Sequence, residues 1–314
     1  MKQRSLLTGH LCMMGASTMW GLMAPLGKDA MANGISGLEM ICFRVTGGSI
    51  CFWLASFVVL LLNRDKGAEQ TKERITPKDS ALLFGAALFA IVFNQCNYII
   101  GLSITSPLNA SIMTTIMPIF TMILATIVLK EPLTSKKFLG VILGACGAAT
   151  LILASANGVA SGGVLKGDLM CVAAQFSYSI YLTAFKSVIQ KFTAITCMKW
   201  MMTFAALVVV PFGIPQFMEL DWASIGNKTW AETAFVVVGG TFFSFLLSTN
   251  AQKVLRPTVV AMYNYMQPII ACMVSVLIGV GIFGWNQLVA IVLVFSGVYL
   301  VNKSKAKDDG QACK

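Results

Sequence analysis

Asn94, Asn97 and Tyr98 stand inside one apolar run, at the i, i+3, i+4 spacing that lines up a single helix face. Trp20, Gln175 with Tyr178, and the cluster MYNYMQP at 262–268 interrupt other apolar runs in the same way. Tyr263, Asn264 and Gln267 of that cluster fit an arc of about 100° on a regular helix. Amides, phenols and an indole bind by hydrogen bonding and stacking, and they neither hold metals nor supply a nucleophile with its base. In hydrocarbon each of them needs a partner or a water-filled cavity. One reading is therefore a lined solute cavity. The plainer one is hydrogen bonding between neighbouring helices, which suits Thr114, Thr115, Ser17 and Ser179 equally well.

The elements that position these residues are membrane spans. Of 314 residues, 57% are hydrophobic and 11% charged, with a mean hydropathy of +0.77. Ordinary soluble domains carry roughly 25% charged residues. Runs of about 20 apolar residues predict ten spans, near 8–27, 36–62, 79–101, 107–129, 136–154, 167–187, 194–212, 231–250, 257–279 and 285–302. The N-terminal apolar stretch is read as a retained first span. With both termini in the cytoplasm, 18 of the 23 Lys and Arg residues fall inside and 3 outside, leaving Arg44 and Lys199 within spans. That topology accounts for the net charge of +10 without nucleic acid as a partner.

The chain also repeats itself. PLNASIMTTIMP (107–118) lies over PTVVAMYNYMQP (257–268) at an offset of 150, pairing Pro118 with Pro268 and Thr114 with Asn264. At an offset of 158, Gly9 meets Gly167, Trp20 meets Tyr178 and Lys28 meets Lys186. Five spans per unit is an odd number, so the second copy enters the membrane inverted, with a site expected where the halves meet. The expected units are 8–154 and 167–302, followed by a cytoplasmic tail at 303–314. The expected fold is thus all-α and integral to the membrane, with ten transmembrane helices in two inverted five-helix repeats.

The tetrapeptide TMWG (18–21), Arg44 in the second span and the stretch IMPIFTMILATIVLKEPLTSKKFLGVILGACGAATLI (116–152) together resemble the drug/metabolite transporter superfamily, in its ten-helix EamA-domain branch. The resemblance covers 8–302. It implies two five-helix halves, alternating access and movement of a small metabolite, often outward. Gly281 stands where a second glutamate would match Glu131, so a role needing two symmetric carboxylates is not expected here.

Several functions are disfavoured by what the chain contains. The nine cysteines are scattered with no CxxC pair, and His10 is the sole histidine, so neither a metal site nor another cofactor is expected. A membrane enzyme would need clustered His, Asp or Glu at a membrane boundary. No carboxylate falls near the middle of any span, so simple proton antiport lacks a carrier and exchange or uniport stays open. The neutral, aromatic lining suits an amino acid, nucleoside or similar amphipathic solute; phosphates would call for clustered cations.

The expected substrate-binding residues are Trp20, Asn94, Asn97, Tyr98, Thr114, Gln175, Tyr178, Tyr263, Asn264 and Gln267. The expected gating or charge-pairing residues are Arg44 (with Glu39 as its partner, or with a substrate anion), Glu131, Pro118 and Pro268. Gly140, Gly144 and Ala148 form a small-residue stripe for packing within the chain or for a weak homodimer. The function expected is secondary transport in a cell inner membrane, as efflux. A membrane-embedded sensor or assembly protein without flux is the alternative.

Overall fold

The computed structural model describes residues 2–62, 75–105, 110, 113–155, 165–277 and 285–304. Among these the regular structure is helical and contains no strand. The helices are α1 (Lys2–Ala32), α2 (Gly37–Leu62), α3 (Pro77–Ile104), α4 (Met117–Val128), α5 (Ser135–Ser155) and α6 (Leu165–Ala184). The short α7 (Lys186–Lys191) follows, then α8 (Ala194–Glu219), α9 (Asn227–Gln252), α10 (Pro257–Met262), α11 (Met266–Leu277) and α12 (Trp285–Asn302). The sequence marks many of their ends. Gly34, at φ 108°, stops α1 in the left-handed conformation a glycine tolerates. Thr76 and Asp79 form a reciprocal capping box around Pro77 at the start of α3.

Four helices, α2, α3, α8 and α9, are long and apolar enough to cross a bilayer among the described residues. α4 and the stretch Leu288–Asn302 of α12 are apolar but shorter. Only 22% of the apolar window of α2 is buried, and Trp53, Leu54, Phe57 and Leu60–Leu62 point outward. So large an exposed apolar surface fits lipid rather than water. Residues 63–74, 278–284 and 305–314 lie outside the description, and with them the loop cations Arg64, Lys66, Lys72 and Arg74, Gly281, and most of the expected tail.

The halves mirror one another in backbone detail. α3 contains a π-helical turn at Leu88–Phe93, and α9 contains one at Val238–Phe243, at the same offset of 150 seen in the sequence. α1 packs on α9 and α6 packs on α3, so the first helix of each half lies against the third of the other. Both pairs are antiparallel: Gly9 approaches Val254 while Gly27 approaches Val236, and Gly85 approaches Phe185 while Gly101 approaches Gly167. α5 and α12 also run antiparallel. A Cβ on Gly140 would lie 2.7 Å from the Gly297 carbonyl oxygen, and one on Gly147 would lie 2.9 Å from that of Ala290. The sequence offset maps Gly140 onto Ala290 and Gly147 onto Gly297, so these two contacts are each other's images. The small-residue stripe of α5 is therefore occupied within the chain, by α12 and, at Gly144, by Tyr265.

Ion pairs close matching corners. Asp29 of α1 meets Lys228 of α9 at 2.6 Å, and Asp79 of α3 meets Lys191 of α7 at 2.6 Å. The Lys228 ammonium holds the Asp29 carboxyl below its ordinary range.

Candidate functional site

Between the halves lies a cavity of about 80 Å³, room for about half a dozen water molecules. Its wall includes Trp20, Asn94, Tyr98, Thr114, Gln175, Tyr178, Asn264 and Gln267 from the expected binding set, together with Arg44. Met23, Gln95, Met117 and Phe245 complete it. Four pairs of wall residues occupy matched positions in the two halves: Trp20 and Tyr178, Gln95 and Phe245, Thr114 and Asn264, Met117 and Gln267.

Breaks in helical regularity aim these side chains. The cluster 262–268 is not one smooth α-helix: Tyr263–Tyr265 is a 3₁₀ turn between α10 and α11. Its tighter winding, about 120° per residue, sends consecutive side chains in three directions. Tyr263 turns away and its hydroxyl meets His10 Nδ1 at 2.8 Å. Tyr265 runs into α5, where its hydroxyl donates to the Val141 carbonyl at 3.3 Å. Asn264 faces the cavity, its Nδ2 3.1 Å from the Met117 sulfur and 3.4 Å from the Thr114 carbonyl. Gln267 Nε2 donates to Asn264 Oδ1 at 2.6 Å. Pro118 and Pro268 each fall in the first turn of a helix that follows this break, where a missing N–H costs no helical bond.

Two expected lining residues thus lie off the cavity wall. Tyr263 is one. Asn97 is the other: its Nδ2 donates back to the Phe93 carbonyl at 2.7 Å. Beyond its π turn, α3 presents Asn94, Gln95 and Tyr98 to the cavity, a face rotated by about one residue from the predicted stripe. Asn94 Nδ2 also ties α3 to α6 through the Ala174 carbonyl at 2.9 Å. Ser17 and Ser179 serve helix contacts, donating to the carbonyls of Tyr263 and Met117.

Arg44 departs most from expectation. It does not pair with Glu39, whose carboxylate accepts from the Ser36 N–H at 2.6 Å and closes a capping box at the start of α2. Instead, Arg44 is 2% exposed and its Nε donates to Thr241 Oγ1 at 3.0 Å. Thr241 sits in the π turn of α9 and donates in turn to the Val236 carbonyl. Pulling one carbonyl out of the helical ladder is what a π turn does. Here it leaves a hydroxyl aimed at a buried guanidinium.

The other charges stay off the wall. Glu131 pairs with Lys137 at 2.7 Å, both buried, and Thr258 Oγ1 lies 3.4 Å from the same carboxylate. Lys199 reaches Ser56 at 3.1 Å and lies over the Trp53 ring. Among the described residues no group of three His, Cys, Asp or Glu is placed to hold a metal ion. Trp20 stands edge-on between Tyr178 and Phe245, with ring centroids 6.4 and 5.8 Å away. Such a wall can stack a flat apolar body and hydrogen-bond its polar end.

A helical membrane protein whose two matched halves share a cavity lined by amides and aromatic rings has the architecture of a solute carrier. The chain belongs to the EamA-like transporter family, which matches residues 7–153 and again 165–303. It is 22% identical to the uncharacterized transporter YyaM of Bacillus subtilis, over 82% of this chain and 86% of that one. A WAT1-related protein of Arabidopsis thaliana is 20% identical over 93% of this chain and 83% of its own length. A solved crystal structure, 15% identical, shares the fold with a TM-score of 0.72 over 95% of this chain and 96% of that one.

Proposed function

We propose that this protein is a secondary transporter that moves a small amphipathic metabolite by alternating access, with the cavity between its halves as the substrate site. The observation that carries this reading is the wall itself. Four matched pairs support a cavity on the pseudo-two-fold, the location at which two equivalent closures open a site to one side or the other. Antiparallel packing of the equivalent helices α5 and α12 supports an inverted repeat. The Lys and Arg asymmetry supports ten spans with both termini cytoplasmic, while the inner membrane and the outward direction rest on the family resemblance alone. Asn94, Tyr98, Thr114, Gln175, Asn264 and Gln267 are assigned to the solute's polar groups, and Trp20 and Tyr178 to its apolar body. Glu131 with Lys137, and the breaks before Pro118 and Pro268, are assigned to gating.

Counterflow in proteoliposomes tests this. Asn264→Ala and Tyr98→Ala are expected to lower exchange at least ten-fold at unchanged protein abundance. Wild-type exchange by both variants would remove the site assignment. Binding of a solute with no flux by the unmodified protein would favour a sensor.

A further inference from the structure

We propose that the transported solute is a monocarboxylate with an apolar or aromatic body, its charge answered by Arg44. This inference rests on the carrier reading above and names the class of substrate.

Among the described residues Arg44 is the sole charged group on the cavity wall. Only its Nε is engaged, by Thr241, and neither Nη donates to any described residue. No salt bridge among the described residues includes it, and its nearest acidic candidate by sequence, Glu39, is committed to Ser36. A guanidinium taken out of water is costly unless an anion meets it with good geometry. Here the protein provides a hydroxyl to orient the fork and leaves its two outer nitrogens without an acceptor among the described residues. A planar fork of this kind matches a carboxylate bidentately.

The surroundings of Arg44 have the same sign. An adjoining small pocket shares Met23, Arg44 and Tyr98 with the cavity and is lined by Lys28 as well. Its other lining residues include Met31, Met40 and Leu102. Among the described residues Lys28 makes no ion pair, so two cations and no acid border this pocket. Two cations on an apolar pocket draw anions and repel cations. The aromatic part of the wall sets the rest of the ligand: Trp20, Tyr178 and Phe245 offer rings, not charges. One guanidinium balances one negative charge. A doubly charged phosphate would remain half-compensated, and the ammonium of a zwitterion would find no carboxylate on the wall.

A kinetic consequence follows from the same geometry. The loaded cavity closes over a neutral pair, whereas the empty one must close over a lone guanidinium. Closure is then favoured by the anion, and exchange of two anions outruns net movement of one.

The test uses matched probes on the purified full-length chain: phenylacetate, benzoate and hexanoate, each against its neutral amide, with phenylalanine as the zwitterion. Titration calorimetry should show at least one acid binding ten-fold or more tightly than its amide at neutral pH. Arg44→Gln should bring that ratio to about one, and Arg44→Lys should keep part of it. In proteoliposomes the preferred acid should exchange faster than it leaves against an empty lumen. The acid-to-amide comparison on the unmodified chain needs no variant that folds. The proposal is overturned if no acid exceeds its amide, or if Arg44→Gln keeps the preference. Exchange of amides or phenylalanine without the acids would overturn it while leaving the carrier reading intact. No exchange of any probe, at any charge, would remove both.

Discussion

The two halves agree in backbone and disagree in charge. α2 and α8 are both 26 residues long, and aligned end to end they set Arg44 against Met201, which is fully buried. At the offset of 150, Glu131 falls on Gly281 and Lys137 on Gln287, so one half carries an ion pair where the other has a glycine and an amide. The π turns and the helix break before each proline recur in both. Main-chain geometry is what two equivalent closures have to share. Side chains at the shared positions are free to differ, and among the described residues only the first half puts a cation on the cavity wall, while both supply amides.

The strongest break in the comparison is the ion pair. Glu131→Ala leaves Lys137, 1% exposed, with no counter-charge in a buried site. The expected loss is about 4 kcal/mol of unfolding free energy. Removing both charges, as Glu131→Ala with Lys137→Met, should restore most of it, because an apolar pair carries no desolvation penalty. Thermal unfolding in detergent reads both. A single variant as stable as the parent would mean that the first half does not depend on its extra charges.

A smaller effect should be the same from either half. Gly140 and Gly297 face each other across α5 and α12, and a Cβ on Gly297 would lie 2.5 Å from the Gly140 carbonyl oxygen. Backbone cannot rotate out of the way as a side chain can, so the helices must part. Gly297→Ala and Gly140→Ala should each lose about 2 kcal/mol. Gly226→Ala, where nothing lies within 4 Å, should cost less than either, through the N-cap of α9 alone. Unequal losses at the two facing glycines would show that the contact is not shared evenly.

How far the sequence could be read follows from the same regularities. Apolar runs and matched prolines expose the helices and the repeat because both leave a fixed period in the chain. Asn94, Tyr98 and Gln175 are readable because each lies on a regular α-helical stretch. Tyr263 is misplaced by that logic because it sits inside a 3₁₀ turn, where the 100° step fails, and Asn97, on the same regular stretch as Asn94 and Tyr98, instead spends its amide on the Phe93 carbonyl. Met23, Met117 and Phe245 line the cavity without any polar signal to separate them from core. The partner of Arg44 is 197 residues away in the chain, and the capping box that takes Glu39 out of contention looks in sequence like a nearby counter-ion.

The gentlest perturbation turns the second half into the first at one wall position. Gln267 matches Met117, so Gln267→Met places methionines at both. The variant removes the donor that holds Asn264 Oδ1 at 2.6 Å and frees that amide to rotate. Stability should hardly move, because the lost group borders a cavity that water can refill. Substrate affinity should fall about five-fold, the value of one hydrogen bond of about 1 kcal/mol. Met117→Gln, the reverse swap, adds a donor beside Thr114 without the partner that Asn264 gives its counterpart, and no gain in affinity is expected from it. Equal affinity changes in the two swaps would mean that the amide side of the wall is interchangeable between halves, and that the cation alone sets what the cavity selects.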